Sequence, residues 1–259
     1  MNIQIKNNNQ IILNFLSWCV AILPIALIFS NALSDIIIST AGLFFIFFSF
    51  NKKSWAWLNE SWVKIGFIIY FWLIISSFFA IDNNLAFSRS LTWIRFIIFA
   101  ASLQFLFLNN AEYKKRLITF ALIALIYVNF EMFMEYFTGS SLYSKILHNF
   151  FYIPSGPFPF SGGAHVISGP FKDAPKSGIF LVYFILPTIL GFAKLLKTKL
   201  SKNIPVFFII FFIIINFFLI YLSGHRASIL SFIISLFLFF VFIFLKKKKI
   251  TTIFVIALI

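Results

Sequence analysis

Apolar residues along the chain fall into long, nearly unbroken runs separated by short polar or basic clusters, and that pattern predicts membrane-crossing helices. A helix spanning a hydrocarbon core of ~30 Å needs about 20 apolar residues, within a range of roughly 17–25. Residues 11–30 fit. The run at 36–50 is short and is expected to begin near Ala32. Runs at 65–81, 91–108, 117–136, 177–192, 205–222 and 227–245 follow, and a last run at 250–259 meets the end of the chain. The expectation is an all-α polytopic membrane helix bundle, a single membrane domain over 1–259. It has eight full transmembrane helices and part of a ninth, with neither an internal repeat nor a soluble domain.

Composition agrees. Apolar residues make up 61% and charged residues 11%, against roughly 45–50% and about 25% in soluble domains; mean hydropathy is +1.01. A soluble globular fold is excluded. The 41 Phe, with abundant Ile, Asn and Lys, reflect AT-rich codons more simply than a specialised surface. The single Cys19 permits neither a disulfide framework nor a cysteine zinc site. The 21 Lys and Arg against 7 Asp and Glu are clustered between apolar runs, which suits membrane lipids as partners rather than nucleic acid.

Charge placement sets the orientation. With the N-terminus in the cytoplasm, the inner segments hold Lys6; Lys52, Lys53 and Lys64; Lys114, Lys115 and Arg116; Lys194, Lys197, Lys199 and Lys202; and Lys246 to Lys249. Those are 15 of the 21 basic residues, leaving Arg89, Arg95, Lys145, Lys172, Lys176 and Arg226 outside. Miscounting one helix would invert every later segment and destroy this asymmetry. Lys6 and Ser30-Asn31-Ala32 could mark a signal peptide. The apolar region of about 20 residues exceeds the usual 7–15, which favours a retained helix. The chain reads as the N-terminal part of a longer protein.

Polar chemistry collects outside. The segment 137–176 holds five of the ten Gly and five of the eight Pro, yet is rich in aromatic residues. A loop folded back on the membrane surface fits that mixture better than disorder. Its end, Ser168-Gly169-Pro170-Phe171-Lys172-Asp173, precedes a helix start; backbone N–H groups with Lys172 and Lys176 make either an anion site or an ordinary turn. Arg226 in Ser223-Gly224-His225-Arg226 is held at the outer boundary between two apolar helices, and its planar fork of donors suits phosphate. Snorkelling to the interface is the alternative. Arg95 lies a turn into an apolar segment, with Arg89 just before it. Glu131 and Glu135 share one face of the fifth helix; their repulsion calls for a proton or a compensating Arg, and they are either a structural pair or catalytic carboxylates. His148, His165 and His225 lack metal-ligand spacing, and the inner loops show no Gly-rich phosphate loop or Asp-rich metal site.

Two stretches carry a resemblance. Ser168-Gly169-Pro170-Phe171-Lys172-Asp173 with Gly178 and Pro187, and then Leu222-Ser223-Gly224-His225-Arg226-Ala227-Ser228, resemble the O-antigen ligase and O-antigen polymerase superfamily. There a Gly-x-Phe stretch precedes one helix and a Thr/Ser-Gly-x-Arg motif opens the helix after next. Residues 82–95, from Asp82-Asn83-Asn84 to Arg95, and the order and sidedness of the helices are also similar.

The resemblance implies lipopolysaccharide-type cell-surface polysaccharide assembly in a bacterial inner membrane. A glycan passes from undecaprenyl diphosphate to a lipid A core or to another carrier-linked repeat at the periplasmic face. No metal or other cofactor is implied, because the diphosphate lipid is itself the activated leaving group. On that reading Arg226, His165, Glu131 and Glu135 are the catalytic candidates. Arg226, Arg89, Arg95, Lys172, Lys176, Gly169 and Phe171 would bind the diphosphate, whose developing charge needs preorganised cations. The chain departs from the family twice. An Arg usual three residues before the Gly is Val166 here, with His165 one step earlier. The periplasmic loop that usually bears an essential His is expected beyond residue 259. A transporter or flippase for a lipid-linked or anionic solute is the alternative. The isolated Pro24 and Pro187 and the one-sided charges fit a transporter less well than the enzyme.

Overall fold

The structure is a computed structural model that describes residues 7–51, 55–139, 142, 167–171, 175–196 and 204–248. All regular structure among them is helical. Four helices are long and apolar enough to cross a membrane: Ile11–Phe29, Asn31–Asn51, Asn83–Phe107 and Ala111–Thr138. Four shorter apolar helices, Ser61–Ser77, Lys176–Phe192, Ile209–Leu222 and Arg226–Phe239, match the other expected runs in position. The expected partial span at 250–259 lies outside the described residues. The chain divides into two compact units, Met1–Ala121 and Leu122–Ile259.

The first unit begins with α1 (Asn7–Phe29) and α2 (Asn31–Asn51). One residue separates them. Ser30 closes α1 through its N–H to the Ala26 carbonyl at 2.8 Å, and its hydroxyl accepts the Leu33 N–H at 3.2 Å to open α2. One residue thus ends one helix through its backbone and caps the next through its side chain, and no longer loop is needed. A 3-10 turn (Ala56–Asn59) leads into α3 (Ser61–Ser77). α3 ends earlier than the apolar run predicts, and beyond Ser77 the Phe78, Phe79 and Ala80 N–H groups turn to carbonyls three residues back, which tightens and closes the helix. The next span starts at Asn83 rather than 91, since Asp82 caps it by accepting the Leu85 N–H at 3.1 Å. It runs as α4 (Asn83–Thr92), a break at Trp93, α5 (Ile94–Ser102) and a π turn (Leu103–Phe107).

In lipid, an apolar side chain gains little by leaving its surroundings, so packing rather than water exclusion joins such helices. α1, α2 and α5 interlock through Leu16, Val20, Ile37, Ala41, Phe45 and Ile97. Gly42 lets α2 approach Ile98 closely. The outward positions of α3, such as Ile68, Phe71, Trp72 and Ile75, are exposed and apolar, as a lipid-facing surface requires.

α6 (Ala111–Thr138) supplies the end of the first unit and, from Leu122, the start of the second. The second unit continues with the turn at 167–171, α7 (Pro175–Leu196), α8 (Ile204–Leu222) and α9 (Arg226–Lys248). The last three pack against one another. The turn before α7 bonds to the end of α8, through the Ile167 N–H and the Leu222 carbonyl at 3.4 Å, so α7 and α8 are antiparallel. Residues 223–225 then reverse the chain into α9. The starts of α7 and α9 therefore share one end of this unit.

Candidate functional site

The turn at 167–171 is irregular backbone held inside helices. Ile167, Gly169, Pro170 and Phe171 are buried. Such backbone is tolerated at membrane depth only when its polar groups find partners in the protein. Each N–H here does. Ile167 donates to Leu222, Phe171 donates to the Ser168 carbonyl at 3.3 Å, and Ser168 and Gly169 donate to Glu135 Oε2 at 2.9 and 2.5 Å. The Ser168 hydroxyl adds a longer contact to Oε1 at 3.3 Å. The buried Ser177 hydroxyl donates to the Ile167 carbonyl at 3.4 Å.

Gly169 is required twice. Its φ of +60° is a left-handed conformation, and a Cβ there would lie 2.8 Å from Met132 Cγ. Phe171 packs against Phe180 on α7, with ring centroids 5.7 Å apart. Gly169 and Phe171, both expected to bind substrate, thus hold the turn onto α6 and α7.

Glu131 and Glu135 do share the inward side of α6, but they separate in role. Glu131 is 3% exposed. Glu135 is half-buried, and backbone amides compensate its carboxylate where an Arg was one of the two expected solutions. A carboxyl group accepting two backbone N–H groups is a strong anchor for the turn.

The second motif meets the first. A Cβ at Gly178, in the first turn of α7, would lie 2.5 Å from Ser223 Oγ and 3.3 Å from Ser228 Cβ. Only a glycine allows this approach, which brings the turn 223–225 and the start of α9 against the start of α7. His225 caps α9: its Nδ1 accepts the Ser228 N–H at 3.2 Å and lies 2.6 Å from Ser228 Oγ. Arg226 follows, exposed and without an acidic partner among the described residues. Lys176, in the first turn of α7, is also exposed. Neither first turn contains an acidic residue.

This is an unusual charge arrangement. A helix N-terminus carries about half a positive charge and is stabilised by anions, not cations. Here two such ends adjoin, and each bears a basic side chain. An anion with several oxygens would complement them.

The remaining candidates lie elsewhere. In the first unit, Arg95 pairs with Asp35 on α2 at 3.0 Å and lies 4.9 Å from the Phe96 ring centroid. Arg89 is exposed in the last turn of α4, where a cation suits the helix dipole. Lys172, His165, His148, Lys145 and Val166 lie outside the described residues. Among the described residues, no group of His, Cys, Asp and Glu could hold a metal ion.

Several engaged residues had gone unassigned. Asp35 is a lone acid within an apolar run, a signal of interest by itself. Arg116, counted only as a cytoplasmic charge, donates to Asn14 Oδ1 at 2.6 Å and Ser17 Oγ at 3.1 Å, pairs with Glu112, and lies 4.4 Å from the Trp18 ring centroid. Ser177 carried no signal beyond its small size, and Ser223 and Ser228 stood in the second resembling stretch without a role of their own. No protein-family model, curated protein or solved structure matches the chain.

Proposed function

We propose that the chain is an eight-span inner-membrane protein of bacterial cell-surface polysaccharide assembly, with its N-terminus in the cytoplasm. It would transfer a glycan from undecaprenyl diphosphate to a lipid A core or a second carrier-linked repeat at the periplasmic face. The adjoining starts of α7 and α9, with Lys176 and Arg226 and no acid in either first turn, carry this reading. Two stretches far apart in sequence, both read as diphosphate-binding, lie side by side in one unit. Arg226 would hold the phosphoryl oxygens through its fork, and the helix ends would stabilise the departing diphosphate. Glu135 would serve by holding the turn rather than by moving a proton.

Arg226→Ala in the complete protein is the test. Glycan transfer should be lost while membrane insertion persists, and Arg226→Lys should restore little, since a point charge lacks the fork. Full transfer by the Ala variant overturns the proposal.

A second reading, transport of a lipid-linked or anionic solute, draws on Asn129 and Asn216. Both are buried within helices of the second unit, with amide atoms that find no partner among the described residues. Buried polar groups at that depth suit a solute path. Leu at both positions would stop solute flux under this reading and leave glycan transfer intact under the first.

A further inference from the structure

Asn129 is poorly matched to its surroundings. It lies in α6, one of the four helices long and apolar enough to cross a membrane, and is 6% exposed. Its amide nitrogen and oxygen both lack a hydrogen-bond partner among the described residues, and neither offers surface that a water molecule could touch. An amide sealed in this way is less stable than one that meets water. Tyr136, seven residues on, lies on the same side of α6 two turns away. Its ring meets Phe218 of α8, with centroids 6.1 Å apart. α6 and α8 both reach the turn at 167–171 near their C-terminal ends, through Glu135 and Leu222, so they run parallel. Asn129 therefore sits on the α8 side of α6, about 10 Å along the helix from the Tyr136–Phe218 contact.

The helices beside this seam are held differently. α7, α8 and α9 pack on one another directly. The turn is fixed to them by the Ile167 bond to Leu222, the Ser177 bond to Ile167 and the contact of Phe171 with Phe180. α6 is fastened to the turn through the Glu135 side chain, which accepts the Ser168 and Gly169 N–H groups.

We propose that α6 and α8 form a gate clasped by Glu135, which opens at the end where the turn lies and admits water and polar solute groups to Asn129. Release of Ser168 and Gly169 from Glu135 frees α6 from the turn while α7, α8 and α9 stay packed. Water reaching Asn129 then meets both amide atoms, which offsets part of the loss of the clasp. The gate depends on neither the glycan nor the diphosphate reading.

Thiol labelling reads the gate. Asn129→Cys in a Cys19→Ala background, as the full chain in detergent, is treated with a small charged methanethiosulfonate. Ile185→Cys is the control, because Ile185 is 0% exposed in α7 and belongs to the helices that stay packed. The Asn129→Cys thiol should react, and adding Glu135→Ala should speed it roughly tenfold, since two bonds to a carboxyl group are lost. The Ile185→Cys thiol should stay unreactive in both backgrounds. No reaction at position 129 in either background overturns the gate, and so does an equal acceleration at position 185, which marks general loosening. If Glu135→Ala does not fold, Glu135→Gln, which keeps an acceptor oxygen, should still accelerate labelling at 129, and an unchanged rate overturns the clasp. Asn129→Leu gives a separate reading. Removing a sealed, unmet amide should raise the Tm by about 2–4 °C. A lowered Tm would show the amide bonded within the closed packing and remove the reason for the gate.

Discussion

Glu135→Ala should destabilise the second unit far more than an ordinary carboxylate substitution on an apolar helix. The carboxylate receives the Ser168 and Gly169 N–H groups at 2.9 and 2.5 Å, and the turn they belong to is largely buried. Leaving buried donors unmet costs about 1–3 kcal/mol each. For two groups beside a half-buried side chain, about 3 kcal/mol is a central expectation. In a chain of this size that is a fall in Tm of about 6–12 °C. Glu135→Gln keeps an acceptor oxygen but loses its charge, so it should cost about 1–2 kcal/mol. Thermal unfolding in detergent, followed by size-exclusion chromatography after heating, reads both values. An unchanged Tm for the Ala variant would refute the anchoring role. Activity adds an independent check on the Gln variant. A general base contributes about 10²–10⁴-fold to rate, so near-normal glycan transfer by Glu135→Gln is expected of an anchor, and a loss of that size would make Glu135 catalytic.

Three further outcomes follow from other parts of the chain. Arg116→Leu should lower the Tm by about 4–8 °C, the equivalent of ~2 kcal/mol, because it removes contacts to Asn14, Ser17 and Glu112 together; Arg116→Lys should recover less than half. Gly178→Ala should cost about 1–3 kcal/mol by overpacking, and Ser223→Ala in the same chain should return part of it, giving a non-additive pair in thermal unfolding. A Cys at Ser161 in a Cys19→Ala background should react with an impermeant thiol reagent in intact spheroplasts, and labelling only after lysis would reverse the orientation read from the basic residues.

Helix positions were legible because a membrane span is written in a long apolar run, and the runs coincide with α1, α2, α3, α6, α7, α8 and α9. Helix ends were less legible, because they are decided by single polar contacts. Asp82 draws the fourth span upstream to Asn83, and α3 closes through the i−3 bonds of Phe78, Phe79 and Ala80 before its apolar run is exhausted. Gly169 and Gly178 announced turns or close approaches, yet their partners, Met132 and the serines of the next turn, lie too far along the chain for spacing to reveal. Glu135 was visible as half of a charged pair. That its counterpart would be backbone amides could not be read, since every residue offers such groups and only the fold selects which are left unpaired.

The bonds of Glu135 also decide what a substitution there can tell about anion binding. Exposed ion pairs contribute little, about 0–1 kcal/mol. Two short bonds to amides of a largely buried turn contribute more, so the turn is where the carboxylate stabilises the unit. That turn bonds through Ile167 to Leu222, just before the start of α9, where Arg226 is exposed at a helix end whose own partial charge is positive. Substituting Glu135 would loosen the turn, and a loosened turn would disturb the start of α9 without any change at Arg226 itself. Tm and pyrophosphate affinity must therefore be measured on the same variant to separate them.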